Sequence, residues 1–365
     1  MRYTIKQNAK IPAYQQLYKQ IRDDIINEIY PYNTKLPSKR LVADEVGVSI
    51  ITVEHAYALL CEEGYVEAKE RSGYFVAFRA TDGFVGATDT TYNISSIAHS
   101  HTIYKSEFSY PLLSKTMRKV MNDYGERLLE RPLNAGCLEL RDAIRQYLAR
   151  SRGILADTEQ IIIGSGAEYL YRMIVSMLGQ EHIYAIESPS YNKIEQVYLA
   201  CHATLEMLPL GSDGIESHAL QQTKADILHI TPYRSFPSGV TASASKRHEY
   251  LRWAGRSNRY IVEDDFESEF SVSKKPEDTL FSHTQNDNVI YMNTFSKTIS
   301  PALRVGYMVL PKHLVNVYEE KLGFYSCTVP TFEQFVLAEL ISGGDFERHI
   351  NRVRRNKRKE LAERS

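Results

Sequence analysis

The sequence predicts two unlike domains: an N-terminal winged helix-turn-helix and a larger α/β domain built on a mostly parallel sheet. Three observations carry that expectation. In the first eighty residues, capping residues and glycines mark out short helices followed by a hairpin. From Ile161 onward, apolar runs of strand length alternate with helical patterns. Between these regions, residues 80–95 (ATDGFVGATDTTYNIS) show no sustained periodicity and have the Gly, Ala, Thr and Asp content of a connector.

At 365 residues and 43% hydrophobic content, the chain is long enough to bury two cores of unequal size. A formal net charge of −1 announces no nucleic-acid partner globally, so DNA binding would rest on a local surface. Cys61, Cys137, Cys201 and Cys327 lie far apart with no C-x-x-C pair. That spacing argues against a disulfide framework and against a structural zinc site, and a reducing cytoplasm is the expected setting. No metal site is expected. The N-terminus MRYTIK has no apolar signal core, and no stretch approaches the length that spans a bilayer, so no membrane partner is expected either.

Leu17, Ile21, Ile25 and Ile29 recur every fourth residue and predict one helix face between Pro12 and Tyr30. Pro12 suits a first turn. Ser38 is placed to cap a short helix with the apolar face Leu41, Val42 and Val46, which Gly47 ends. Ser49 is placed to cap the next, from Ile51 to Glu63, which Gly64 ends. Two short helices around a Gly turn make a helix-turn-helix. Tyr65 to Ala68 and Gly73 to Ala77 flank Lys69-Glu70-Arg71-Ser72 and predict a β-hairpin, the wing.

The run LPSKRLVADEVGVS, with TVEHAYALLCEEGYVEAKERSGYFV after it, resembles the GntR winged-helix pattern along its whole length. The resemblance implies a DNA-binding domain at residues 1–79, with a double-stranded operator as partner. It lays the helix that starts near Ser49 in the major groove, with Ser49 and Thr52 near base edges or phosphates. Ser38, Lys39 and Arg40 would touch the DNA backbone, and Gly73 would approach the minor groove. Two departures stand out. The family usually has an arginine directly after the serine that opens the recognition helix, where this chain has Ile50; farther along that face stands Glu54, which would repel phosphate.

In residues 96–365 the strand-length runs are Ile161–Ile163, Ile183–Ile186, Ile227–Ile230, Tyr260–Val262 and Val289–Met292. Such sheets bind ligands at the carboxyl ends of their strands, so the residues after each run are candidates as a set. Gly164-Ser165-Gly166-Ala167-Glu168 precedes a helix and offers backbone N–H groups to a phosphate. Glu187-Ser188-Pro189-Ser190-Tyr191 offers an aromatic ring, and Pro232 to Gly239 forms a turn. Glu263-Asp264-Asp265-Phe266 puts carboxylates where a cationic ring nitrogen would be stabilised. Asn293-Thr294-Phe295-Ser296-Lys297-Thr298 leads on to Pro301, Arg304 and Gly306. A lysine for a Schiff base, a carboxylate for a pyridine nitrogen, and cationic and hydroxyl donors for a phosphate are what pyridoxal phosphate chemistry needs.

NTFSKTISPALRVGY resembles the lysine loop of fold-type I aminotransferases, EDDFESEF the aspartate motif of MocR-type regulators, and RPLNAGCLELRDAIRQYLARSRGI that family's approach to the sheet. The resemblance covers nearly all of residues 96 to 360 and implies a fold-type I, class I/II aminotransferase-like domain that binds pyridoxal 5'-phosphate. By position, Lys297 would carry the Schiff base and Asp264 would pair with the pyridine nitrogen, these two being the catalytic positions. Tyr191 would stack on the ring, while Ala167, Glu168, Thr294, Ser296 and Arg304 would hold the phosphate. Where the family commonly has a tyrosine two residues after the aspartate, this chain has Phe266, and Tyr233-Arg234-Ser235 replaces the usual Ser-His-Gln.

The charged helical pattern from Phe346 to Arg364 contains an Arg-Lys run at 352 to 358 that is expected to be one solvated face of the helix rather than a second nucleic-acid patch. In the family it leads into a small carboxyl-terminal domain whose arginine clamps the substrate carboxylate. That domain is absent here, so efficient transamination is not expected. The reading is a cytoplasmic transcription regulator, a homodimer by resemblance, that senses pyridoxal phosphate itself or a small amine or amino-acid effector. The alternative is a pyridoxal-phosphate-dependent aminotransferase with an accessory winged helix.

Overall fold

A computed structural model of the chain describes residues 3–6, 11–70, 72–79, 107–255, 259–271, 278–284 and 287–364. The expected connector at 80–95 and Arg71 of the expected wing turn lie outside them. The chain divides into two compact units, Met1–His101 and Thr102–Ser365.

In the first unit, α1 (Ala13–Ile26) buries Leu17, Tyr18, Ile21 and Ile25. It stops short of the expected end at Tyr30, and Ile29 stands 58% exposed. The reason is local: Glu28 adopts a left-handed conformation (φ 58°), and the Ile29 N–H turns back to the Asp24 carbonyl at 2.9 Å, closing the helix end and delivering Tyr30 to the core instead. The short helix α2 (Lys39–Val46) begins where Ser38 Oγ accepts from the Leu41 N–H and ends at Gly47, φ 72°. Its buried residues are Val42 and Ala43, whereas Leu41, expected on the apolar face, is exposed. Next comes α3 (Ile50–Glu62), capped by Ser49 Oγ, which accepts from the Thr52 N–H at 3.2 Å. It buries Val53, Ala56, Tyr57 and Leu60. The antiparallel hairpin of β1 (Val66–Lys69) and β2 (Gly73–Val76) follows.

The second unit is an eight-stranded sheet flanked by helices. Its elements are α4 (Tyr110–Tyr124), α5 (Leu138–Ser151), β3 (Ile161–Gly164), α6 (Ala167–Leu178), β4 (Ile183–Ser188), α7 (Asn192–Ala200), β5 (Thr204–Gly211) and β6 (Gly214–Ile215). There follow α8 (Ser217–Gln222), β7 (Ile227–Ile230), α9 (Ala244–Ala254), β8 (Tyr260–Asp264), α10 (Leu280–His283), β9 (Val289–Thr294), β10 (Gly306–Val309), α11 (Lys312–Leu322), α12 (Thr331–Ser342) and α13 (Asp345–Arg364).

The strand order is β3-β10-β9-β8-β7-β4-β5-β6. Neighbours from β9 through β5 pair in parallel, while β10 runs antiparallel to both β3 and β9, and β6 antiparallel to β5. Both faces are covered, as continuous apolar strands require. Along β3, Ile161 and Ile163 join the core under α5 and α12, while Ile162 joins the core of α6 and α11. The α13 helix packs through Phe346, His349, Ile350 and Val353, which are buried, while within the run at 352–358 Arg352, Arg355, Asn356 and Arg358 are exposed, as expected of a solvated face. Among the described residues no helix is long and apolar enough to cross a membrane.

Candidate functional site

Pairing register gathers the candidate residues at one edge of the sheet. Gly306, at the start of β10, is paired with Gly164 on one side and Thr294 on the other, and Asp264 is paired with Met292. Because β10 runs against its neighbours, its N-terminal end lies beside the carboxyl ends of β3 and β9. The loops bearing Ala167, Asp264, Lys297 and Arg304 therefore emerge on the same edge.

Asp264 is 6% exposed. Tyr171, on the second turn of α6, donates from Oη to Asp264 Oδ2 at 2.6 Å, while Asp264 Oδ1 has no hydrogen-bond partner among the described residues. Beside it on β7 lies His229, buried, with Nε2 3.6 Å from Asp264 Oδ2 and Nδ1 2.6 Å from the Tyr198 hydroxyl. His229 Nε2 is a buried polar atom without a hydrogen bond. Burial and the adjacent Asp264 carboxylate push the Tyr171 phenol well above its ordinary range, so it stays a donor. Neither Tyr171 nor His229 was expected from sequence. Their role depends on two strands and a helix meeting, and the only local signal is that Tyr171 lies four residues after Ala167 on the same helical face.

Lys297 is exposed on the loop after β9. Its Nζ lies 2.9 Å from Glu267 Oε1 and 5.0 Å from the centroid of the Phe266 ring. Glu267 itself adopts a left-handed backbone, φ 67°. Phe266 and Glu267 lie two and three residues after Asp264, so the aspartate and lysine segments meet through side chains as well as through the sheet.

The N-terminus of α6 begins after Gly166, φ 93°, with no side-chain cap. Arg304 fills the space beside that glycine: a Cβ added there would sit 3.2 Å from Nη2. Glu168 accepts from Arg304 Nη2 at 2.5 Å and pairs with Lys193 Nζ at 2.8 Å. Although partial burial pulls the other way, Lys193 and Arg304 bring the Glu168 carboxyl down to about 2. Thr294 and Ser296 are half-buried on the strand end and the following loop. Tyr191, 39% exposed at the start of α7, meets Phe236 edge to face at 6.1 Å between ring centroids.

In the first unit, Ser38 and Ser49 are both spent as helix caps, and Ser49 Oγ also lies 2.9 Å from Thr52 Oγ1. Arg40 is exposed, while Lys39 Nζ pairs with Glu54 Oε1 at 2.7 Å. Gly73 opens β2 at φ 107°, where a Cβ would press on the Lys35 side chain at 3.1 Å.

Residues 13–76 match the bacterial regulatory proteins of the gntR family, and residues 107–364 match aminotransferase class I and II. The uncharacterized HTH-type transcriptional regulator YdeL of Bacillus subtilis is 32% identical, covering 98% of this chain and 79% of its own. The probable rhizopine catabolism regulatory protein MocR of Rhizobium meliloti is 29% identical, covering 96% and 76%. The chain belongs to the MocR-type gntR regulators. A MocR-type chain joins a helix-turn-helix to an aminotransferase fold, and a solved aminotransferase accordingly matches the large unit. Kynurenine aminotransferase of Pyrococcus horikoshii, crystallised with PMP, aligns with a TM-score of 0.62 and 26% identity. The alignment covers 68% of this chain and 64% of the enzyme, so this regulator spans less than two thirds of that enzyme.

Proposed function

We propose that this regulator binds an operator through its winged helix and senses through a pyridoxal 5'-phosphate site centred on Lys297. The observation that carries the reading is the convergence of Lys297, buried Asp264 and Arg304 on one sheet edge, fixed by the β3-β10-β9-β8 register. The donor set fits the group. Among the described residues, Asp264 has an oxygen without a hydrogen-bond partner and His229 Nε2 behind it is an orphaned polar atom, while the uncapped start of α6 lies beside the Arg304 guanidinium.

What pyridoxal phosphate supplies when bound is an aldehyde reactive toward amines and an electron-withdrawing ring. Lys297 would provide the amine. Asp264, held by Tyr171, would keep a proton at the ring nitrogen, and Tyr191 would cover the ring face. Arg304, the first N–H groups of α6 at Ala167 and Glu168, and the hydroxyls of Thr294 and Ser296 would hold the phosphate. On the DNA side, Arg40 and Lys39 supply charge, Thr52 and Ser49 lie at the start of the recognition helix with Ser38 at the start of the helix before it, and Gly73 would let the wing approach the minor groove.

The effector is either the cofactor itself or a small amine that displaces Lys297, and the protein acts in the cytoplasm as a homodimer on two half-sites. An enzyme with this site would be a transaminase. Phe266 at the lysine favours sensing, because it has no hydroxyl to donate where catalytic relatives of this fold commonly have one. The test is the visible absorbance that attachment to a lysine amine produces, recorded with added pyridoxal phosphate for the intact chain and for Lys297→Ala. A band lost in the variant supports the site; the absence of a band from both defeats it.

A further inference from the structure

The exposed face of α3 carries no cation: the helix is IITVEHAYALLCE, with neither lysine nor arginine. Its outward residues in the first two turns are Ile50, Ile51, Glu54 and His55, and His55 is drawn aside into an edge-to-face contact with Tyr14 at 5.8 Å. Glu54 is thus the carboxylate presented by the first two turns of the recognition helix, and it is not left to repel phosphate alone. Lys39, the first residue of α2, reaches across to it at 2.7 Å, with its Nζ also 6.0 Å from the centroid of the Tyr74 ring on β2. One lysine therefore sits where α2, α3 and the hairpin converge.

We propose that Glu54 is a specificity-determining residue that accepts a hydrogen bond from a cytosine amino group in the major groove, with Lys39 neutralising it against the neighbouring phosphates. This rests on the reading that the winged helix binds duplex DNA through α3. A carboxylate is purely an acceptor, and among the base edges of the major groove the cytosine C4 amino group offers a donor with no acceptor beside it on the same base. The flanking Ile50 and Ile51 are suited to thymine methyl groups and have no hydrogen-bonding group to compete with that contact. Lys39, already charge-paired, makes the carboxylate tolerable close to the backbone without adding a base contact of its own.

The test is selection of binding sites by the full-length protein from a randomised duplex library, sequenced for wild type, Glu54→Ala, Glu54→Gln and Lys39→Ala. Wild type is expected to enrich cytosine at one position in each half-site. Glu54→Ala should lose preference at that position alone, by about tenfold or more in the ratio of bound sequences, and Glu54→Gln should shift it toward adenine. Lys39→Ala should weaken binding to all sequences while keeping the cytosine. A cytosine preference that persists in Glu54→Ala overturns the proposal, as does uniformly tighter binding by that variant with an unchanged motif, which would leave the carboxylate as repulsion only. A wild type that selects no motif overturns the proposal together with the DNA-binding reading beneath it.

Discussion

Arg152 donates from Nε to Asp265 Oδ2 at 2.8 Å, and both side chains are nearly sealed from solvent. Arg152 Nη2 donates to the same oxygen, and the Tyr291 hydroxyl adds a third donor at 2.6 Å. Asp265 therefore faces into protein, engaged by α5 and β9, while Asp264, its neighbour on alternating backbone, faces the other way toward Tyr171. The two adjacent carboxylates have opposite surroundings: Asp265 ties the strand end to Arg152 and Tyr291, and Asp264 meets Tyr171 on the side of the proposed site.

Removing one partner of that buried pair leaves an unpaired charge. Arg152→Met should therefore destabilise the large unit by about 3–5 kcal/mol, and the double variant Arg152→Met/Asp265→Asn by clearly less. Thermal and denaturant unfolding of the four proteins in the cycle checks this; a double-variant loss equal to the sum of the two single losses would show that the pair is not coupled.

Burial pushes Glu187 up to about 7, against hydrogen bonds from the Ser235 hydroxyl and the Thr231 N–H that favour its charged form. The folded state thus holds a proton that the unfolded chain releases near its ordinary carboxylate pKa. The stabilisation is full below that ordinary value and is lost as pH rises from about 4.5 to about 7, since more protons are then bound in the native state. Glu187→Gln keeps an acceptor for both donors and should flatten unfolding free energy over that window by a few kcal/mol, at about 1.4 kcal/mol per pKa unit. An unchanged pH profile would refute the assignment.

Gly166→Ala combines a backbone at φ 93° with a methyl group 3.2 Å from Arg304 Nη2. The expected cost is about 1–3 kcal/mol of stability. Because Arg304 must yield, pyridoxal phosphate should also bind more weakly, as read by titration of the visible band. Loss of stability with unaltered affinity would remove Arg304 from the phosphate contacts.

Arg40 is exposed at the start of α2. Arg40→Ala should lower the slope of log affinity against log salt on duplex DNA by about 0.9, the loss of one phosphate contact. A parallel plot with the same slope would place Arg40 off the backbone.

Much of this architecture was legible because burial on both sheet faces leaves uninterrupted apolar runs, and Ile161–Ile163 or Val289–Met292 need no partner to be recognised. By contrast, β5 (TLEMLPLG) alternates exposed and half-buried residues near the sheet margin, with Leu208 alone fully buried, and shows no such run. Likewise β10 is short and follows directly on the lysine loop, so GYMV reads as part of it. Caps were visible as Ser38 and Ser49 because their bonds are local. Ile29 misled because its spacing is helical while the turn at Glu28 is not. At the site, the residue types of Lys297, Asp264 and Arg304 suggested the proposed chemistry, but Tyr171 and His229 become companions of Asp264 only where α6, β7 and β8 meet, and Glu267 of Lys297 only where the segments after β8 and β9 meet.

The antiparallel insertion of β10 has a mechanical meaning. The loop from Phe295 to Val305 is closed at its base by the Phe295 N–H donating to the Val305 carbonyl at 2.9 Å and by the Gly306–Thr294 pairing. Lys297 and Arg304 thus ride on a single clasped loop whose closure entropy is settled when the sheet forms. A ligand at the proposed site would meet both groups on one loop whose two ends the sheet already holds together, which leaves less of the chain to be ordered on binding.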